Sequence, residues 1–109
     1  MREIKFRCWD KENKEMLDVE YLHWDDCTRE FSIRTTMYTD YFDIEDMILM
    51  QYTGQKDKNE KEIYENMIIN KKYIVVYEFG KFILKDIQNG DITDFERNGV
   101  YEITGEYLE

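Results

Sequence analysis

The chain has 109 residues, 42% hydrophobic and 16% aromatic, which is enough for one domain with a modest core. Its formal net charge is −10, and because an acidic surface repels phosphate, composition argues against direct binding of DNA or RNA. No stretch approaches the roughly 20 apolar residues that cross a bilayer, and the N-terminus lacks a signal-peptide pattern, so we expect a cytoplasmic protein with no membrane partner.

The first third of the chain alternates strand-like and polar segments. Residues 2–9 alternate polar and apolar side chains with a period of two, which predicts a strand, and residues 10–15 indicate a polar turn. Residues 17–24 are mixed and fit either a helical turn or a strand. Residues 29–38 are rich in Phe, Ile and Thr, which favour a strand.

A cluster of acidic residues lies before the middle of the chain. Residues 40–46 crowd four acids around aromatic and aliphatic side chains, and Asp40 or Asp43 can cap a short helical turn there. The apolar run 47–52 then predicts a strand, and the charged run 54–62 predicts a loop. We therefore expect at most short helical turns in this part of the chain.

The C-terminal half has the pattern of consecutive short strands separated by turns. Phe79-Gly80 lies between two strand-forming runs, so we expect a tight hairpin in which Gly80 has a positive φ. Asn89-Gly90 and Asn98-Gly99 are further turn signals. The predicted strands are 67–70, 72–78, 81–87 and 101–108.

Short strands at this spacing, without proline and without a long segment of helical period, predict a mainly β domain of the small-barrel kind. No linker or low-complexity tract interrupts the sequence, so residues 1–109 are expected to form a single domain. Its expected internal division is an N-terminal strand-and-turn layer, 1–48, packed on a barrel formed by 49–109.

Two motifs resemble one protein family. Residues 4–16, IKFRCWDKENKEM, and residues 49–69, LMQYTGQKDKNEKEIYENMII, resemble the YopX-like phage proteins. Residues 73–87 and 101–109 are similar to the closing strands of that family. The resemblance implies a small soluble protein of phage or prophage origin, with an SH3-like β-barrel element and no assigned chemistry.

The chain departs from the family pattern at two turn positions. That pattern usually has glycine where this chain has Glu60, and a Gly-Asp pair where it has Asn66-Met67. We therefore expect the hairpin and the entry to the next strand to be built differently here.

No residue pattern indicates catalysis, a cofactor or a metal. His23 lies beside two carboxylates, but it is the only histidine and no nucleophile motif accompanies it, so we interpret it as a structural or surface residue. Residues 57–59 begin like a calcium loop, but Lys61 and Glu62 occupy the places of a ligand and of the turn glycine. The sequence also has no glycine-rich phosphate loop.

Two sets of residues are candidates for contact with a partner. The acidic set is either a Mg²⁺ site or, as we favour, a group of solvated caps, and it consists of Asp40, Asp43, Glu45 and Asp46. The aromatic set either lines a groove for a polyproline segment or, as we favour, packs in the core and between strands. It consists of Trp9, Tyr52, Tyr64, Tyr73 and Tyr77.

The two cysteines, Cys8 and Cys27, have no CxxC spacing and no second histidine to accompany them. This excludes the usual zinc frameworks. In a reducing compartment we expect two free thiols.

These features together favour a phage accessory protein that acts by protein–protein contact and has no catalytic activity. Small barrels leave strand edges, here at 72–78 or 101–108, so we expect a homo-oligomer that hides them. The alternative is an acidic decoy that mimics nucleic acid and occupies the basic groove of a host DNA- or RNA-binding protein. The affinity of a decoy falls steeply in salt, which separates the two functions.

Overall fold

A computed structural model describes residues 3–38, 41–96 and 99–108. In this part of the chain the regular structure is antiparallel β-strand, apart from one 3-10 turn, and no helix is both long and apolar enough to cross a membrane. The mainly β class is therefore confirmed. The described residues fall into two compact units, an N-terminal unit, Lys5–Gln51, and a C-terminal unit, Glu3, Ile4 and Tyr52–Leu108.

The N-terminal unit is one antiparallel sheet. Its strands are β1 (Phe6–Asp10), β2 (Glu15–Asp25), β3 (Glu30–Thr35), β4 (Tyr41–Asp43) and β5 (Met47–Lys56), which continues into the C-terminal unit. The strand order is β4-β3-β2-β1-β5, and the 3-10 turn, Ile44–Asp46, joins β4 to β5. The segment 17–24, which the sequence leaves undecided, is thus part of a strand.

β2 is long enough to pair with two strands in succession. Its first residues pair with β1, where Leu17 lies opposite Cys8, and its later residues pair with β3, where Leu22 lies opposite Ile33. The side chains on this face of the sheet form the core of the unit. The buried members of that core are Cys8, Leu17, Ile33 and Met47.

A second antiparallel sheet makes up most of the C-terminal unit. The remaining strands are β6 (Glu62–Tyr64), β7 (Met67–Ile69), β8 (Tyr73–Glu78), β9 (Lys81–Asp86), β10 (Ile92–Asp94) and β11 (Ile103–Glu106). The sheet has the order β10-β9-β8-β7-β11, while β6 pairs with the end of β5. The most deeply buried apolar side chains described in the C-terminal unit, at most 1% exposed, are Ile63, Ile69, Val75, Ile83 and Leu84.

Two features of the fold expected from the sequence, a closed barrel and a sheet edge at 72–78, are not found among the described strands. The described strands form two antiparallel sheets and no closed barrel, and an SH3-like arrangement stays a prediction. β8 pairs with β7 and with β9, so 72–78 is not an edge, whereas among the described strands β11 pairs with β7 alone and is an edge. The predicted internal division between 48 and 49 falls inside β5.

The turns rely on residues other than glycine at several places. Phe79 and Gly80 have φ values of 55° and 78° between paired strands, so the predicted two-residue hairpin and the positive φ of Gly80 are confirmed. Glu60 and Asn66 have φ values of 65° and 69°, which is the left-handed conformation that glycine usually supplies. At both departures from the family pattern a residue with a side chain therefore has a backbone conformation that glycine adopts readily. The predicted turn residue Asn98 lies outside the described residues.

The charged segment 54–62 is a shorter loop than the sequence predicts. β5 continues through Gly54 to Lys56, and β6 begins at Glu62. Gly54 has a φ of 88°, and the register between β5 and β6 shifts between Tyr52 and Lys56. A local irregularity of this kind bends a strand, and β5 continues beyond it to Lys56.

Candidate binding site

A cavity of about 300 Å³ opens in the N-terminal unit, between the tip of the β2–β3 hairpin and the 3-10 turn. We call it the acidic aromatic pocket. It is lined by Trp24, Arg29, Glu30, Phe31, Asp43, Ile44 and Glu45. The first four residues come from the hairpin and the last three from the end of β4 and the 3-10 turn.

The aromatic wall of the pocket continues the apolar face of the sheet. Trp24 and Phe31 lie directly opposite each other in the β2–β3 register, two residues beyond Leu22 and Ile33 of the core face. Their ring centroids are 5.7 Å apart at an interplanar angle of 53°. Trp24 and Phe31 are 49% and 38% exposed, so a large part of both rings is accessible to a partner.

Local hydrogen bonds fix the hairpin that carries these rings. The indole N–H of Trp24 donates to the carboxylate of Asp26 at 2.8 Å, which sets the orientation of the ring. The Asp25 carboxylate accepts the backbone N–H of Cys27 at 2.9 Å, and the Asp25 carbonyl accepts that of Arg29 at 2.7 Å. Such Asx turns stabilise a loop without tertiary contacts, so the aromatic wall is formed in advance of binding.

The charged wall of the pocket is acidic. Glu30, Asp43 and Glu45 provide three carboxylates against the single guanidinium of Arg29. Among the described residues none of these four side chains forms an ion pair. The Lys11 ammonium also donates to the backbone carbonyl of Glu45 at 3.2 Å, but the three carboxylates still exceed these two cations by one, so the local field favours a cation.

The acidic set predicted from the sequence is only partly brought together. Asp43 and Glu45 line the pocket, Asp46 is exposed in the 3-10 turn outside it, and Asp40 lies outside the described residues. Asp43 occupies the position before the 3-10 turn, but its side chain makes no capping hydrogen bond, so its predicted capping role is wrong. In the described part of the chain no group of three or more His, Cys, Asp or Glu side chains is placed to hold a metal ion.

Two tyrosines and an arginine hold the short strand β4 beside the pocket. The hydroxyl of Tyr41 donates to that of Tyr21 at 3.1 Å. The guanidinium carbon of Arg34 lies 5.9 Å from the ring centroid of Tyr21 and 5.8 Å from that of Tyr41. Tyr21, Arg34 and Tyr41 are in register across β2, β3 and β4. This row fixes the strand that leads into the 3-10 turn.

The aromatic residues predicted from the sequence are divided between the two units. Tyr52 and Tyr64 are buried and face each other across β5 and β6, with ring centroids 5.5 Å apart. Tyr77 packs on a neighbouring phenylalanine across β8 and β9, and the Lys72 ammonium lies 5.3 Å from the ring of Tyr73. Trp9 is half-buried in the N-terminal unit, whereas the four tyrosines belong to the C-terminal unit.

His23 is exposed and lies in register with Ser32 and Asp43 across three strands. No hydrogen bond joins these three side chains, and serine occupies the middle strand, whereas a nucleophilic triad needs histidine between the other two groups. The His23 ring instead lies 5.6 Å from that of Tyr41.

The calcium-like segment at 57–59 is a structural loop. The Asp57 carboxylate accepts the backbone N–H groups of Asn59 at 2.8 Å, Lys61 at 3.0 Å and Ile103 at 3.3 Å. Burial acts to raise the pKa of Asp57, but these hydrogen bonds to the charged form outweigh it and lower the pKa. The carboxylate therefore anchors the loop to the strand β11.

Fold and pocket together define a small antiparallel β protein with a preformed, cation-attracting cleft. The chain belongs to the YopX family, since the family model described as YopX protein matches residues 5–107. It is similar to a solved structure, the crystal structure of protein EF1440 from Enterococcus faecalis, with a TM-score of 0.73 and 23% identity over 97% of this chain and 94% of that one. This similarity shows a shared fold. No curated protein matches the chain.

Proposed function

We propose that this chain is a phage or prophage accessory protein without catalytic activity, which acts by binding a basic side chain of a partner protein in the acidic aromatic pocket. The observation that supports this function most directly is the placement of Trp24 and Phe31 beside Asp43 and Glu45 in one preformed cavity. Phage origin rests on the sequence resemblance described above.

Lysine and arginine match both walls of this pocket. Their charged heads are attracted by carboxylates and by aromatic ring faces, and their methylene stems bury well against apolar surface. A cavity of about 300 Å³ has room for one such side chain. Complementary charge also speeds the encounter and selects against acidic partners.

A nucleic-acid-mimicking decoy is the second candidate, favoured by the net charge of −10. A decoy needs only carboxylates placed like phosphates, so the exposed aromatic wall is unused in that function. Binding by a decoy should disappear as salt is raised, whereas contact with aromatic rings should persist in part.

The test measures binding of a short peptide, Thr-Val-Lys-Val-Thr with blocked ends, by isothermal titration calorimetry. A matched peptide carries norleucine in place of lysine, which keeps the stem and removes the charge. We expect tighter binding of the lysine peptide. Neutralising the pocket with Asp43→Asn and Glu45→Gln together should weaken that binding about two- to tenfold.

A control variant carries Glu12→Gln and Glu60→Gln, two exposed acids outside the pocket, and changes the net charge equally. It should bind the peptide like the natural sequence. The proposed function is wrong if lysine and norleucine peptides bind equally, or if this control loses as much affinity as the pocket variant. The decoy would be favoured if all binding is lost at high salt and if replacing Trp24 with alanine leaves the binding at low salt unchanged.

The proposal includes self-association, a cytoplasmic location and an SH3-like arrangement of 49–109. The edge strand β11 has one pairing partner among the described strands, and a symmetric contact at such an edge hides its backbone groups. Light scattering coupled to size-exclusion chromatography measures the mass in solution, and a monomer at all concentrations would refute the oligomer.

A further inference from the structure

The strand β3 is longer than the neighbour that covers its outer edge. β4 pairs with Ser32, Ile33 and Arg34 only. No described strand covers the outer edge of β3 at Glu30 and Phe31. The same two residues line the acidic aromatic pocket, so an open stretch of sheet edge lies inside the cavity.

An open sheet edge offers backbone N–H and C=O groups that an added extended chain can pair with. Here β4 ends at Asp43, and the place beside the start of β3 is the cavity itself, which Ile44 and Glu45 of the 3-10 turn line from their side. The aromatic pair Trp24 and Phe31 is next to that place. A peptide lying there presents alternate side chains to the pocket.

From this geometry we infer that the partner is an extended basic segment of another protein, which pairs with the edge of β3 at Glu30 and Phe31 and places a lysine or arginine side chain in the acidic aromatic pocket. Charge selects this occupant. A second copy of the chain carries a net charge of −10 and would bring further carboxylates to an acidic edge. The inference rests on the proposed function and adds the conformation and pairing of the partner.

Backbone methylation of the peptide tests the pairing directly. Successive N–H groups of an extended chain point in opposite directions, so only one alternate set can face β3. Two versions of the lysine peptide are made, each N-methylated at one alternate set of residues. We expect one version to bind about three- to tenfold more weakly than the unmethylated peptide, because it loses one or more hydrogen bonds, and the other to bind nearly normally.

A second measurement locates the contact on the protein. Amide hydrogen exchange, followed by NMR with and without the lysine peptide, should show new protection at the amide of Glu30 or Phe31. The amide of Ile33, which β4 already covers, serves as the internal control and should change little.

The outcomes separate the two levels of the proposal. If lysine is preferred to norleucine but neither methylated version weakens binding, side-chain recognition stands and strand addition is overturned. Equal weakening by both versions overturns it too, since a single edge cannot use both sets. Protection at Glu30 or Phe31 that rises with protein concentration in the absence of peptide would assign the edge to a second copy and overturn the basic partner. If lysine is not preferred at all, the proposed function itself fails.

Discussion

Replacing Glu60 with glycine should stabilise the protein. Glu60 has a φ of 65° and is exposed, and its backbone N–H donates to the Asp57 carbonyl at 3.0 Å, a bond that glycine keeps. A residue with a Cβ in the left-handed region is disfavoured by about 1–2 kcal/mol. Glycine has more backbone entropy to lose on folding, which removes about 0.5–1 kcal/mol of the gain. The free energy of unfolding should therefore rise by about 0.5–1 kcal/mol.

The assay is urea unfolding followed by circular dichroism. The midpoint should increase with an unchanged slope, since the substitution alters stability and not the surface exposed on unfolding. By the usual scaling for a domain of this size, the melting temperature should rise by about 2–8 °C.

Two neighbouring variants separate the backbone effect from other causes. Glu60→Ala removes the charge and keeps the Cβ, so it should show no comparable gain. Asn59→Gly places glycine in the same loop at a residue whose φ is not positive, and it should lower stability. A neutral or destabilising Glu60→Gly would refute the reasoning, and so would an equal gain from Glu60→Ala, which would point to charge instead of conformation.

Three further predictions concern reactivity, pH and the pocket. In the native protein Cys27, which is exposed, should be alkylated quickly, whereas Cys8 should react only after unfolding. Cys8 is fully buried, and burial together with two nearby carboxylates raises its pKa to about 11, so mass spectrometry after brief iodoacetamide treatment should find one modified site. Asp57→Asn should lower the urea midpoint at neutral pH. Because the folded-state pKa of Asp57 is lowered, its contribution is present above its ordinary pKa and is lost as pH falls through the lowered value, so the difference between variant and natural sequence should shrink in acid. Arg29→Gly should tighten binding of the lysine peptide about two- to fivefold, because among the described residues Arg29 is the one basic side chain that lines the pocket. Arg29 has a φ of 58° and Lys14 a φ of 54°, so Lys14→Gly relieves a similar positive φ and removes one cation outside the pocket, and it should leave the affinity unchanged.

The local pattern predicts long strands and tight turns well and short pairings poorly. Period-two alternation and the Phe79-Gly80 turn are properties of neighbouring residues, so the strands β8 and β9 and the hairpin between them follow from the sequence. β4, β6 and β10 have three residues each, too few to show a period, and unlike β7, which is as short, they are not continuous apolar runs. Their existence depends on partners that lie elsewhere in the chain. For the same reason the open edge of β3 could not be foreseen.

The sequence predicts only the acidic part of the candidate site. The acids Asp43 and Glu45 form part of a conspicuous cluster, but Trp24 and Phe31 belong to the pocket only because the hairpin register places them opposite each other. A signal was present, since these two aromatics lie symmetrically about Cys27-Thr28 in a polar run with turn-forming Asp residues. That symmetry is recognised only when 15–25 and 30–35 are treated as paired strands. The mixed composition of 17–24 does not indicate that 15–25 is a strand.

The acids of the pocket repel a second copy of the chain and attract a basic partner. An uncovered strand edge is a site where identical chains can pair and aggregate, and charged residues beside it are a common protection. Glu30, Asp43 and Glu45 provide that protection, because a second copy would bring like charge to the edge. The same charges attract a basic chain, whose lysine or arginine also gains contact with Trp24 and Phe31. The arrangement that keeps this edge from pairing with itself is thus the arrangement that selects its partner, and removing the acids should weaken peptide binding and promote self-association in the same variant.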